Sequence, residues 1–128
     1  MTQSLPTVLE GIVTVYKGNG RKLGYPTANI SSDTALPDGV YFGHVDLSDY
    51  RQRPALIFIG TPTTMGDTER RVETHVLDAE DRDYYGMRIK ISVEKFHREN
   101  QTFASIDDLL IMMKADEVAG RTWARTVD

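Results

Sequence analysis

Short runs of apolar residues, many of them alternating with polar ones, occupy the first three quarters of the chain. Residues 8–16 are rich in β-branched and aromatic side chains and predict a first strand. Residues 27–30 predict a short second strand, and residues 40–47 alternate with a period near two, which predicts a third. The continuous apolar run 55–60 is short enough for a buried fourth strand. The pattern is typical of a mainly β domain.

Two more strands are predicted before residue 98. Residues 71–77 alternate between two faces, with Val72, Thr74 and Val76 on one and Glu73, His75 and Leu77 on the other. An acidic turn over 78–83 follows, and residues 84–96 predict one long strand interrupted at Gly86. Gly, Pro, Asp and Ser predict turns or loops at 31–38, 49–53 and 61–70.

A helix signal comes only late in the chain. Ser105 followed by Asp108 is typical of a helix start. The helix is predicted to continue through Val118 and to weaken at Gly120. Its apolar stripe is predicted to consist of Ile106, Leu109, Leu110 and Met113. Many short strands before one helix predict a closed antiparallel barrel with a helix packed on it.

Length and composition narrow the possibilities. The 128 residues predict a single domain spanning 1–128, and 40% hydrophobic with 27% charged residues are globular values. The formal charge of −4 and the lack of basic–aromatic interleaving argue against an oligonucleotide-binding barrel and against nucleic-acid partners. The absence of cysteine excludes disulfides, thiol catalysis and thiolate zinc sites. It also fits a cytoplasmic protein.

The chain has no targeting or membrane signal that we recognise. No apolar run approaches a membrane span, and the residues before Thr7 lack the form of a signal peptide. We therefore expect no membrane association. The start at Met1 favours a complete chain over a fragment of a longer bifunctional protein.

A glycine-rich basic loop carries the first candidate chemistry. Its glycines permit positive φ and close approach to a ligand, and its two cations suit an anion. It matches neither a Walker A loop nor the dinucleotide fingerprint, so an ordinary hairpin loop is the alternative. The loop residues are Gly18, Gly20, Arg21, Lys22 and Gly24.

The next residues add neutral oxygens. Pro26 fixes its own φ, and Thr27 and Asn29 carry side-chain oxygens at alternate positions of an extended segment. Those oxygens lie on one face, as a site for a hard cation and phosphate requires. The alternative is that they only cap a turn at the start of an edge strand.

Several motifs then follow in a fixed order, and together they resemble the ATP-dependent riboflavin kinase family. The same module forms the C-terminal half of bacterial bifunctional FAD synthetases. The resemblance runs from about Leu9 to Arg121. It rests on the glycine loop, Pro26-Thr27-Ala28-Asn29, Leu36-Pro37-x-Gly39-Val40-Tyr41, Ile59-Gly60, Glu73-x-His75-x-Leu77-Asp78, Tyr85-Gly86, Phe96-x-Arg98-x-x-x-x-Phe103, Asp116 and Ala119.

The resemblance implies a fold and an activity. The fold is a six-stranded antiparallel Greek-key barrel with a C-terminal helix. The activity is transfer of the ATP γ-phosphoryl group to the ribityl 5′-hydroxyl of riboflavin, giving FMN and ADP. The implied metal is Mg²⁺, with Zn²⁺ or Mn²⁺ as alternatives, and we expect a monomer. An inactive flavin- or nucleotide-binding module on the same barrel is the competing hypothesis.

The resemblance also implies roles for particular residues. Thr27 and Asn29 match the residues that ligate the metal and touch the phosphates, and Glu73 matches the general base. The glycine loop together with Pro26 matches the nucleotide-covering segment, and Arg98 matches an arginine on the flavin side. Phosphoryl transfer needs a metal, charge neutralisation and a positioned nucleophile, which these residue types supply.

Other interpretations of three residues remain open. Glu73 could be a solvated carboxylate on a half-exposed strand, and His75 is more consistent with a structural than a catalytic role. Arg98 could pair with Asp107 or Asp108 at the start of the helix instead of contacting flavin.

The chain also departs from the family pattern. Its loops after Gly60 and Arg98 differ from the usual ones. We do not expect FAD synthesis, because an adenylyltransferase half is absent from this sequence.

Overall fold

The computed structural model describes residues 4–14, 24–61 and 70–127. Within these residues the chain forms β1 (Thr7–Ile12), β2 (Ala28–Ile30), β3 (Gly39–Leu47), β4 (Tyr50–Gly60), β5 (Arg71–Val76), β6 (Arg88–Arg98) and α1 (Ile106–Val127). The predicted mainly β fold with a C-terminal helix is confirmed. No helix in the described ranges is long and apolar enough to cross a membrane.

All six strands belong to one antiparallel sheet with the order β1-β6-β3-β4-β5-β2. Strands β3, β4 and β5 pair in sequence, and β6 returns to lie beside β3, which is a Greek key. The sheet curls into a half-barrel. Its edges meet at a bridge between Thr14 and Asn29, where the Thr14 N–H donates to the Asn29 carbonyl over 2.9 Å. Among the described residues, this isolated bridge joins the two edge regions of the curled sheet.

The concave face of the sheet is the main hydrophobic core. Alternate side chains of each strand point inward, as a pleated sheet requires. The inward set is apolar and almost fully buried, and includes Ile30, Tyr41, Ile57, Ile59, Val72 and Ile91. The space inside the curled sheet is therefore filled by side chains.

Helix α1 packs on part of the outer face and forms a second, smaller core. Phe42 and Leu56 on the sheet contact Trp123 and Ala119 on the helix. Gly120 is buried at this contact, where a Cβ would lie 2.7 Å from Leu56 Cδ2. The predicted weakening at Gly120 is therefore wrong: the helix continues to Val127, and the glycine allows close approach to the sheet.

The predicted apolar stripe of the helix is only partly correct. Met113 is buried, but Ile106 is exposed and Leu109 and Leu110 are half-buried. The buried face lies further along the helix, at Met113, Asp116, Gly120 and Ala124. The spacing was right for a helix, but the contact with the barrel selects later residues.

Other predicted boundaries also shift, including the end of the first strand, which lies at Ile12. Residues 50–53, predicted as a turn, are the start of β4, because they pair with the end of β3 despite their polarity. Strand β6 starts at Arg88 rather than at residue 84, since the Met87 N–H donates to the Tyr84 carbonyl and closes a turn. The helix start is confirmed, with the Asp108 N–H donating to Ser105 Oγ over 3.1 Å.

Replacing Gly120 by Val is expected to destabilise the fold by about 1–3 kcal/mol through overpacking. Leu56 is fully buried and cannot move aside without disturbing its own packing. Urea unfolding followed by circular dichroism measures the change. The matched control is Ala115→Val at an exposed position of the same helix, where only helix propensity of about 0.5 kcal/mol is lost. Equal losses at the two positions would contradict this account.

Candidate functional site

The Pro26-Thr27-Ala28-Asn29 segment leads into the short strand β2. Ala28 and Ile30 point into the main core, so Asn29 between them points outward. The Thr27 hydroxyl lies 3.3 Å from Asn29 Oδ1 and donates to it. The two oxygens that the sequence placed on one face are therefore adjacent, as predicted.

Glu73 lies directly opposite Asn29 on the neighbouring strand. The β2–β5 register pairs Asn29 with Glu73, and opposed residues of an antiparallel pair project to the same face. Val72, Thr74 and Val76 are buried, and Glu73 and His75 are half-buried, as the alternation predicted. The sheet thus brings Thr27, Asn29 and Glu73 together on its outer face.

His75 contacts the backbone of the segment that carries the two oxygens. Its Nδ1 lies 2.8 Å from the Pro26 carbonyl oxygen. A carbonyl only accepts, so Nδ1 carries the proton. The Tyr25 ring meets the imidazole edge-on with 5.3 Å between ring centroids. This supports the structural interpretation of His75.

Tyr25 connects the same segment to helix α1. Its hydroxyl donates to Glu117 Oε1 over 3.3 Å, and burial, followed by the Glu117 charge, raises the pKa of Tyr25. Arg121 holds the other oxygen of Glu117 at 3.0 Å and makes a bidentate pair with Asp78. Burial acts to raise the pKa of Glu117, but the Arg121 hydrogen bond and nearby cations outweigh it and lower the pKa. The network fixes the helix against both β5 and the approach to β2.

This network was missed by sequence reasoning. Tyr25 stood inside the motif without an assigned role, and Glu117 and Arg121 were not singled out. Their i, i+4 spacing signals a helical ion pair, but no sequence feature indicates that the pair reaches Tyr25 and Asp78.

Arg98 pairs with a helix residue other than those predicted. Its Nε and Nη2 donate to the two oxygens of Asp116 at 2.8 and 2.7 Å. The pairing with Asp107 or Asp108 is therefore wrong, because the buried face of the helix starts later than predicted. Asp116 is only 1% exposed and also lies 3.1 Å from His97 Nε2.

The same register places Arg98 relative to Glu73. Glu73 pairs with Phe58, Phe58 with Val40, and Val40 with Arg98. Three strand spacings separate the two charged residues, or roughly 14 Å at backbone level. Arg98 and Glu73 therefore lie well apart on the sheet.

Of the five predicted loop residues, Gly24 lies within the described ranges. Gly18, Gly20, Arg21 and Lys22 lie outside the described residues, as do residues 62–69 of the loop after β4. Gly24 is described and has φ +87°, the conformation for which a glycine was expected there.

The donor set at Thr27 and Asn29 fits a hard divalent cation. Both donors are neutral oxygens, and Asn29 is only 7% exposed. In the described parts of the chain, no group of three or more His, Cys, Asp or Glu is arranged to hold a metal. Mg²⁺ commonly takes few protein ligands and completes its coordination with water and phosphate oxygens. Thr27 and Asn29 would therefore bind the cation together with the phosphates of a nucleotide.

A family model and the curated relatives carry the same description, riboflavin kinase. The flavokinase model, described as riboflavin kinase, matches residues 3–124. The chain is 32% identical over 118 residues to a bifunctional riboflavin kinase/FMN adenylyltransferase of Escherichia coli K12, covering 91% of this chain and 37% of that protein. The chain thus spans little more than a third of that relative.

Two further similarities cover the chain almost completely. The human protein named riboflavin kinase is 25% identical over 119 residues, covering 88% of this chain and 77% of the human one. A crystal structure described as a macrolide-efflux protein from Streptococcus pneumoniae superposes with a TM-score of 0.78 at 32% identity. That match covers 92% of this chain and 39% of the other.

Asp116→Ala is expected to destabilise the protein by about 3 kcal/mol, because it leaves the partly buried Arg98 guanidinium without its carboxylate. The control is Lys114→Ala, which removes an exposed lysine that pairs with the half-buried Glu117 on the same helix and should cost less than about 1 kcal/mol. Urea midpoints at neutral pH measure both. Equal losses of stability in the two variants would show that the Arg98–Asp116 pair stabilises the fold no more than the Lys114–Glu117 pair.

The Asp78–Arg121 pair predicts a pH dependence. The hydrogen bonds from Arg121 lower the pKa of Asp78 in the folded chain. As the pH falls below about 4, the unfolded chain therefore takes up the proton first, and the stabilisation present at higher pH is lost. Asp78→Asn should lose less stability than the wild type between pH 5 and pH 2, as measured by urea midpoints. Asp49→Asn, in the exposed β3–β4 turn, controls for the loss of one charge.

Proposed function

This chain belongs to the riboflavin kinase family, and from that premise we propose that it transfers the γ-phosphoryl group of ATP to the 5′-hydroxyl of riboflavin. The products are FMN and ADP. The observation that carries the proposal is the pairing of Asn29 with Glu73 across adjacent strands, with Thr27 hydrogen-bonded to Asn29. A carboxylate and two neutral oxygens thus share one outward face.

Glu73 acts as the general base. The riboflavin hydroxyl oxygen forms a bond to the γ-phosphorus while the bond from that phosphorus to the β–γ bridging oxygen breaks. The hydroxyl proton passes to the Glu73 carboxylate, and ADP leaves. Glu73 has a half-buried position on a strand whose inward residues are fully packed, so its backbone is held firmly while its side chain remains accessible.

Thr27 Oγ1 and Asn29 Oδ1 would hold the divalent cation, Mg²⁺ or alternatively Zn²⁺ or Mn²⁺. A bound cation of this kind neutralises phosphate charge during transfer. Thr27 and Asn29 would thereby position the ATP phosphates across the β2–β5 ladder from Glu73. Asn29 and Glu73 come from adjacent strands, and Thr27 directly precedes β2 in the same chain. A single copy therefore suffices, and we propose a monomer.

The remaining predicted residues flank these three. We propose that Pro26 and the loop residues Gly18, Gly20, Arg21, Lys22 and Gly24 cover the nucleotide. Arg98 is assigned to the flavin side. Its bidentate pair with Asp116 holds the guanidinium at a fixed point on the sheet about three strands from the base. The cysteine-free composition suits a cytoplasmic enzyme.

The decisive experiment compares wild type and Glu73→Gln in riboflavin plus Mg-ATP, with FMN measured by chromatography. Loss of the base is expected to lower kcat by about 10²- to 10⁴-fold, whereas ADP binding by calorimetry should change little. Glu10→Gln makes the same chemical change on β1, opposite Lys90, and should leave kcat unchanged. A wild-type protein that binds flavin or nucleotide but forms no FMN would be the inactive binding module instead.

A further inference from the structure

We propose that His75 is a positioning residue for the nucleotide end of the site: its hydrogen bond to the Pro26 carbonyl sets the position of Thr27 and Asn29. This inference rests on the proposed function, since it assumes that those two residues grip the metal and phosphates. His75 would act through the Pro26 backbone and not directly on the reacting hydroxyl or the phosphate.

Pro26 lies where the sheet no longer holds the chain. The β2–β5 ladder begins at the pair Ala28–Thr74, two residues after Pro26. Proline has no N–H to donate, so its carbonyl is the backbone group through which this residue can be held. The His75 Nδ1 contact of 2.8 Å supplies that hold. The carbonyl belongs to the peptide bond that leads directly into Thr27.

One strand supplies both the base and the support. Glu73 and His75 are two residues apart on β5 and project from the same face. Glu73 faces Asn29 across the ladder, while His75 reaches the backbone just ahead of Thr27. Any shift of β5 therefore moves the base and the metal-side segment together, which keeps their separation constant.

The imidazole is itself held from a second side. The Tyr25 ring packs edge-on against it at 5.3 Å, and the Tyr25 hydroxyl is tied to Glu117 of helix α1. Arg121 fixes Glu117 and reaches Asp78 at the end of β5. The chain around Tyr25 and Pro26 is thus clamped between β5 and the helix. A flexible loop at this place would lose conformational entropy each time a ligand binds, and the clamp reduces that cost.

The test compares three variants of the full chain with wild type. His75→Leu removes the N–H donor and replaces the imidazole with an apolar side chain of similar size. His75→Asn offers an amide N–H at nearly the same place as Nδ1. Tyr25→Phe removes only the hydroxyl that reaches Glu117. Mg²⁺-dependent ADP binding by calorimetry is the primary readout, and the KM for ATP and kcat are the second.

His75→Leu is expected to weaken Mg²⁺-dependent ADP binding by about 10- to 100-fold, as loss of a supporting hydrogen bond to a metal site typically does. The KM for ATP should rise more than kcat falls. His75→Asn should restore binding to within about threefold of wild type, because it keeps a donor to the Pro26 carbonyl. Tyr25→Phe should shift binding in the same direction by a smaller factor.

Two results would overturn the proposal. One is a folded His75→Leu that binds Mg²⁺ and ADP like wild type, and the other is His75→Asn as defective as His75→Leu. If His75→Leu fails to fold, the decision rests on the other two variants. Near-wild-type binding by His75→Asn with weaker binding by Tyr25→Phe supports the proposal, and unchanged binding by both variants rejects it. Absence of FMN formation by wild type would sink the proposed function, whereas the calorimetric comparison would still decide the role of His75.

Discussion

The two-residue repeat of strand β5 is the constraint on which the arrangement of the molecule depends. Val72, Thr74 and Val76 are committed to the barrel interior, so Glu73 and His75 must face outward. A shift of register by one residue would bury the carboxylate and expose the core at once. The hydrophobic effect that fixes the strand therefore also fixes the direction of the candidate base.

The packed interior is consistent with a candidate site on the outer face of the sheet. Side chains such as Tyr41, Ile57 and Ile91 fill the concave face. Helix α1 covers part of the convex face at Phe42 and Leu56. Glu73 lies beside that contact, because it pairs with Phe58, which packs against the same cluster. The helix contributes the Glu117 and Asp116 carboxylates, each of which fixes a residue of the neighbouring sheet or loop.

The sequence was informative where local chemistry decides the structure. Alternation at 71–77 predicted the faces of β5, Ser105 predicted the helix start, and the oxygens of Thr27 and Asn29 were expected on one face. The sequence was not informative where contacts between residues distant in the chain decide the structure. The polar residues 50–53 join β4 because β3 offers them hydrogen-bonding partners, which no composition rule detects.

The helix shows the same limit. Its residues have several spacings compatible with burial, and only the shape of the barrel surface selects the set around Gly120. Arg98 had two acidic candidates nearby in sequence, yet its partner is Asp116, about two turns further along the helix than Asp108. Ion pairs between elements depend on how the elements dock, so sequence distance was a poor guide.

Asn29 belongs both to the bridge with Thr14 and to the candidate site. Its carbonyl accepts from the Thr14 N–H and hydroxyl and so fastens the two ends of the curled sheet, while its amide side chain faces Glu73. Loosening that fastening would displace the residue that pairs with Glu73 across the β2–β5 ladder. Opening of the sheet at this bridge would therefore also disturb the candidate site, and amide exchange at Thr14 should report how often the bridge opens.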